Sequence, residues 1–199
     1  DLPVPATLAS TDIQSIKTIE KRLTGFLLEG KKAIPLKRLT ESFNAYGITV
    51  NADGSLYGLP VFFERYGETY EYLGAENYKL LYANPMGVSE CNKLLLNMAV
   101  SYHLNPNPEE KQKIAGMFVM LMRHLLDQGF QAGSALGTLH HLGYSMRNYY
   151  TAAFLMKQPL RNAKIDSVVQ QAMEWFAGTG EIKTKPEAPG MDIDAFNTS

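Results

Sequence analysis

The residues best suited to chemistry lie between Gly133 and Tyr150, in the string Gly-Ser-Ala-Leu-Gly-Thr-Leu-His-His-Leu-Gly-Tyr-Ser-Met-Arg-Asn-Tyr-Tyr. Two of the four histidines, an arginine, an asparagine and three tyrosines fall within the eleven residues 140–150. On a helix, His140, Tyr144, Arg147 and Thr151 would share one face, at spacings of four, three and four. That face would join a titratable base, a phenol and a fixed cation. Arg147 can hold a carboxylate or sulfate through two parallel hydrogen bonds. The unpaired N–H groups of a helix start add positive potential for the same anion. A histidine or tyrosine beside it can move a proton. Such a set suits an acidic sugar, with Tyr144, Arg147 and Asn148 as substrate-binding candidates. Residue types alone leave this reading level with a structural one, in which the aromatics fill a core and Arg147 pairs with an acid.

Other chemistries find less support. Adjacent side chains diverge on a helix, and no carboxylate or third histidine stands at ligand spacing from His140 and His141, so no metal site is expected. There is no phosphate-binding glycine motif and no Gly-x-Ser-x-Gly elbow. Glu90, Asp127 and Glu174 are acids that a glycosidase pair would need, yet none stands out from a solvated or capping role. His103 and His124 fall in helical runs and read as ordinary partly buried histidines.

The elements that must position this segment read as mainly α. Ser10-Thr11-Asp12 offers cap residues for a helix through Ile13, Ile16, Ile19, Leu23 and Phe26, with Gly30 as its stop. A weaker helix covers about Pro35 to Tyr46. Ile48-Thr49-Val50 and Ser55-Leu56-Tyr57 flank a turn in which Asp53-Gly54 supplies the positive φ of a hairpin. Residues 58–85 read as loop with one short helix at most. A helix follows at about Val88 to Leu104. Asn107 then caps a further helix, with Pro108 at N1 and Glu109-Glu110 at its positive end, running to about Gln128 with Gly129 as stop. From Ile114 to Leu126 that helix is apolar on almost every face, so it should be packed on both sides. Its methionines read as core filling. Two more helices are expected at about Tyr144 to Met156 and Ala163 to Ala177, before a polar tail from Gly178.

The chain has 199 residues, 45% of them hydrophobic, and a formal charge of −1. That is ample for a core and lacks the basic excess of a nucleic-acid binder. No apolar run is long enough to span a membrane, and the start, Asp1-Leu2-Pro3-Val4-Pro5, has no signal-peptide pattern. The lone Cys91 sits in an apolar helical pattern and reads as a small buried hydrophobe. If the ligand is a polyanion, its positive partners must be concentrated locally.

Met120-Leu121-Met122-Arg123-His124-Leu125-Leu126-Asp127-Gln128-Gly129-Phe130, then Gly133-Ser134-Ala135-Leu136, then His140-His141-Leu142-Gly143-Tyr144-Ser145-Met146-Arg147 closely resembles the chondroitin sulfate ABC lyases of polysaccharide lyase family 8. The likeness extends in weaker form along the whole chain, through the Asp53-Gly54 hairpin to Asp194–Thr198. It implies that residues 1–199 are the N-terminal part of a catalytic domain. The domain would be an incomplete α/α toroid of helical hairpins, carrying one small β-hairpin near residues 48–57. The rest of the toroid and the β-sandwich domains would lie elsewhere in the polypeptide.

The resemblance implies β-elimination on chondroitin sulfate and dermatan sulfate. The uronate carboxylate is neutralised, a base takes the C5 proton, an acid protonates the leaving O4, and a C4–C5 double bond remains. It also implies a secreted or periplasmic bacterial enzyme, with no cofactor in this segment. Divalent-cation dependence of the full protein is left open. The family's His-x6-Tyr proton-transfer stretch lies beyond the segment that resembles Asp194–Thr198, so residues 1–199 alone are expected to be inactive. What they would contribute is the other wall of the cleft. Glucuronate and its C5 epimer iduronate present that proton on opposite faces, so a second titratable group is needed. His140 and His141 are the candidates. The competing readings are a helical-toroid glycoside hydrolase and a non-catalytic helical carbohydrate-binding domain.

Overall fold

A computed structural model of the chain describes residues 10–59, 88–128, 130–133 and 143–179. It divides into two compact units, residues 1–31 and 32–199. Among the described residues the first holds one helix, α1 (Ser10–Leu28), with Asp12 in its first turn, where the helix dipole favours an acid. It closes at Gly30, whose φ of 68° is the left-handed stop anticipated from the sequence. Its apolar residues follow helical spacing, yet none is buried. Ile13, Ile16, Ile19, Leu23 and Phe26 are 40–72% exposed.

The second unit begins with α2 (Leu36–Asn44), entered through Pro35 and burying Leu39 and Phe43 on one side. A short antiparallel hairpin follows, β1 (Thr49–Val50) and β2 (Leu56–Tyr57), with Val50 opposite Leu56 and Thr49 opposite Tyr57. Gly54 alone in the turn takes a positive φ, 87°, so the connection is a five-residue loop and not a two-residue Asp-Gly turn. Asp53 closes it differently: its carboxylate accepts from the Ser55 amide at 2.9 Å and the Ser55 hydroxyl at 2.7 Å. Those bonds hold its pKa below the usual value.

The core is helical. α3 (Val88–Leu104) packs against both α4 (Pro108–Asp127) and α5 (Gly143–Leu155). The start of α4 is written in its sequence. The Asn107 side chain accepts from the amides of Glu109 at 2.9 Å and Glu110 at 3.3 Å, with Pro108 just inside. Ile114, Met117, Phe118, Leu121, Met122 and Leu125 are wholly buried, which bears out the core reading of this run. Gly116 and Arg123 break through to solvent, and Met120 is half-buried. The Met120 sulfur accepts the Leu56 amide at 3.4 Å, and Gly54 sits so close to the Lys113 backbone that a Cβ would lie 3.3 Å from its carbonyl oxygen. The hairpin is therefore seated on α4.

At the other end of α3, the His103 Nε2 and the Leu155 carbonyl oxygen are 2.7 Å apart. Because this joins the C-terminal ends of two extensively packed helices, α3 and α5 run the same way, with α4 as the return. His103 and His124 are both half-buried, as expected of structural histidines. Cys91 is buried, and burial raises its thiol pKa.

One expectation needs correction. The last described helix does not start near Ala163. A short helix, α6 (Lys157–Asn162), comes first, and α7 (Asp166–Thr179) begins after a tight turn. Pro159 is tolerated because it lies in the first turn of α6, where its missing N–H has no intrahelical partner to lose. Residues 163–165 satisfy the end of α6: the Lys164 amide donates to Arg161 O at 2.9 Å and the Ile165 amide to Leu160 O at 3.1 Å. The expected loop over residues 58–85 falls mostly outside the described residues, and the stop at Gly129 wholly outside them; of the tail expected from Gly178, the first two residues belong to α7 and the rest lies outside the described residues.

Candidate functional site

The helix expected to carry the site exists. α5 starts at Gly143, one residue before the sequence placed it. Its burial follows the helical period. Met146, Tyr149, Ala152 and Ala153 turn inward, and Arg147, Thr151 and Phe154 lie on the opposite side. Arg147 is exposed, Asn148 and Thr151 half-buried. Arg147 thus projects from the first turns of α5, close to the helix start, where unpaired amides and the dipole favour an anion. An exposed guanidinium keeps its planar donors available for a carboxylate or sulfate.

Tyr144 is in the first turn of α5, three residues before Arg147. Its side chain is outside the described residues, as are His140 and His141 entirely. The face proposed for His140, Tyr144, Arg147 and Thr151 is therefore seen in part: Arg147 and Thr151 share it.

The footing of this helix is aromatic. Phe130, fully buried, meets Tyr149 edge-on at 4.9 Å between centroids and stacks on Phe176 of α7 at 4.5 Å. It also closes α4, its amide donating to Leu125 O at 2.9 Å. The Gln131 side chain donates to Leu126 O. One residue thus ties the end of α4 to both α5 and α7, and so fixes where Arg147 projects. Tyr149 and Tyr150 lie ring to ring at 6.1 Å. Their hydroxyls are buried and meet no hydrogen-bond partner among the described residues. Burial raises the Tyr149 phenol, helped by Tyr150, and pushes Tyr150 up to about 12. Both therefore stay protonated near neutral pH and can donate but not act as bases. Sequence reasoning counted these two tyrosines without separating them from Tyr144. The signal was available in the spacing: Tyr149 lies three residues after Met146 and three before Ala152, on the inward stripe.

Among the described residues no group of three or more His, Cys, Asp and Glu gathers as a metal site would require.

The described helices, with one short hairpin, define a mainly α domain that carries an exposed arginine near the start of α5. The chain belongs to the family described as "Lyase, catalytic", which matches residues 3–199. It is 34% identical over 191 residues to a chondroitin sulfate ABC exolyase of Bacteroides thetaiotaomicron, covering 93% of this chain and 18% of that protein. It is 31% identical over 208 residues to a chondroitin sulfate ABC endolyase of Proteus vulgaris, covering 99% of this chain and 20% of that protein. A chondroitin sulfate ABC exolyase of Proteus vulgaris is 29% identical over 111 residues, 55% of this chain and 11% of that protein. The chain thus spans about a fifth of the length of the first two relatives.

Proposed function

We propose that the chain is part of a polysaccharide lyase that cleaves chondroitin sulfate and dermatan sulfate by β-elimination at the uronic acid. The observation that carries this reading is the match of a lyase catalytic family to nearly the whole chain, with relatives named as chondroitin sulfate ABC lyases. The exposed Arg147 near the start of α5 is compatible with it.

In the reaction, the uronate carboxylate is first neutralised. Arg147 is suited to this through charge-assisted hydrogen bonds, with Asn148 and Tyr144 as neighbouring polar groups. Neutralisation lets the C5 carbanion delocalise into the carboxyl group, which acidifies the C5 proton. A base removes that proton, the C4–O4 bond breaks, and an acid protonates the departing oxygen. We assign the second proton-transfer position, needed when the uronate is iduronate, to His140, with His141 as the alternate. The rest of the same polypeptide would supply the first. An enzyme acting on an extracellular polymer would be secreted or periplasmic.

The test is product chemistry. The full-length protein is incubated with chondroitin sulfate and with dermatan sulfate, and ultraviolet absorbance of the unsaturated uronate is followed against new reducing ends. Absorbance rising in step with reducing ends is expected. Reducing ends without the unsaturated product would mean a hydrolase, and binding without either would mean a non-catalytic module.

A further inference from the structure

Among the described residues, Lys164 is the one non-glycine with a positive φ, 59°. It occupies the left-handed position just after α6, where glycine is the residue without steric cost. The backbone there is over-determined by the paired hydrogen bonds from Lys164 and Ile165 to Arg161 and Leu160. The turn would therefore form at least as well with glycine, and the lysine side chain is carried at a cost to stability. Backbone strain held in place by its surroundings points to use of the side chain.

The neighbours of Lys164 suggest what that use is. Lys157 and Arg161 stand four residues apart on one side of α6, and Lys164 follows in its exit turn. Arg161 and Lys164 are exposed, and Lys157 is half-buried with its ammonium 5.4 Å from the Phe154 ring centre. A fourth cation is brought in from α4: the exposed Arg123 donates to Ala163 O at 2.9 Å, the carbonyl directly before Lys164. Among the described residues, two acids accompany them. Asp166 lies 3.8 Å from Arg161, and Asp127 follows one turn after Arg123. Among the described residues these four cations outnumber the two acids, in a chain whose formal charge is −1.

We propose that Lys157, Arg161 and Lys164, flanked by Arg123, form an accessory docking surface for the sulfate groups of a glycosaminoglycan chain. The choice of a sulfated glycan over another polyanion rests on the function proposed above. Cations spread along a helix and its exit turn offer a linear polyanion several contacts in succession. Lys164 sets the end of this surface, because its left-handed backbone turns the chain out of the helix there. Arg123 is a positioning residue, holding the turn through Ala163.

The variant that separates this role from a structural one is Lys164→Gly in the 199-residue chain. Its thermal midpoint is expected to stay level or rise. Its affinity for chondroitin 4-sulfate should fall by about threefold, the scale of one exposed ion pair. Lys157→Gln/Arg161→Gln/Lys164→Gln should lower it by about tenfold or more and flatten its dependence on salt. Unsulfated hyaluronan should bind more weakly and respond less to these changes. Unchanged chondroitin sulfate binding in both variants would overturn the proposal. So would a lower thermal midpoint in Lys164→Gly, or equal losses for hyaluronan or for duplex DNA. The two readings fail separately. Sulfate-dependent binding through this surface, with no unsaturated product from the full-length protein, would sink the lyase assignment alone. Unsaturated product formed with the same KM by wild type and triple variant would sink the docking surface alone.

Discussion

At the scale of the residue, Arg147 carries the sharpest expectation. It is exposed on a helix whose opposite side is wholly packed, so removing it should cost the fold little. Arg147→Ala in the full-length protein should lower kcat/KM by more than about tenfold, the scale of losing a charged hydrogen bond. Unchanged kinetics would assign it to the surface. The paired histidines should instead separate by substrate. Histidine titrates near neutral pH and can take a proton from whichever face its wall presents. His140→Ala is expected to reduce activity on dermatan sulfate more than on chondroitin sulfate, with His141→Ala doing less. Equal losses on both would indicate binding or folding. Tyr150 gives a pH signature. Burial lifts its pKa to about 12, above the ordinary value of about 10. The folded state holds that proton more tightly, so this contribution to stability is complete below pH about 10 and is lost as pH rises through about 12. Thermal midpoints measured across that range should fall in wild type and fall less steeply in Tyr150→Phe.

At the scale of the element, Phe130 is the residue on which the arrangement turns. It closes α4, stacks on α7 and meets Tyr149 of α5. Phe130→Ala should destabilise the chain by about 3–5 kcal/mol, measured by denaturant unfolding, and loosen the footing of Arg147. A cost within experimental error would show that α5 and α7 are held by other contacts. The elements were legible wherever their signals are local. The Asn107-Pro108 start of α4, the Gly30 stop and the 88–104 helix follow from caps, breakers and periodicity. What was not legible depends on backbone choices that residue type does not announce. α6 is too short for periodicity to register, and its end uses a lysine where glycine would have marked the stop. Arg147 and Thr151 were correctly placed on one face because a helix fixes that relation. Which side of α5 would face the core required the partners at Phe130 and α3, and those are contacts distant in sequence. For α1 the pattern identified the helix and its stripe, but nothing in the pattern says what the stripe meets.

At the scale of the molecule, the chain carries a packed core and one unit of a different kind. The helices from α2 to α7 bury a continuous set of large side chains, from Leu39 and Phe43 through Phe118 to Tyr149 and Phe176. The first unit, α1, leaves five large apolar side chains in contact with solvent. A stripe of that kind marks an interaction surface or a liability to associate. Separately, the proposed lyase function has its main proton-transfer groups on a His-x6-Tyr stretch elsewhere in the polypeptide, as the family resemblance implies. A missing general acid or base typically costs about 10²–10⁴-fold in rate. Residues 1–199 in isolation are therefore expected to turn over chondroitin sulfate at least about a hundredfold more slowly than the full-length protein. They should also self-associate at concentrations where a variant with Ile19→Lys and Phe26→Lys stays monomeric. The first expectation is checked by ultraviolet assay at matched molarity, the second by light scattering. The two measurements must be read together, because association could hide Arg147 and mimic loss of activity. The monomeric variant resolves this. If it remains inactive, the deficit lies in the chemistry that residues 1–199 lack. If it turns substrate over at nearly the full-length rate, then His140, His141, Tyr144 and Arg147 suffice for elimination, and the division of the proton transfers between two walls is wrong.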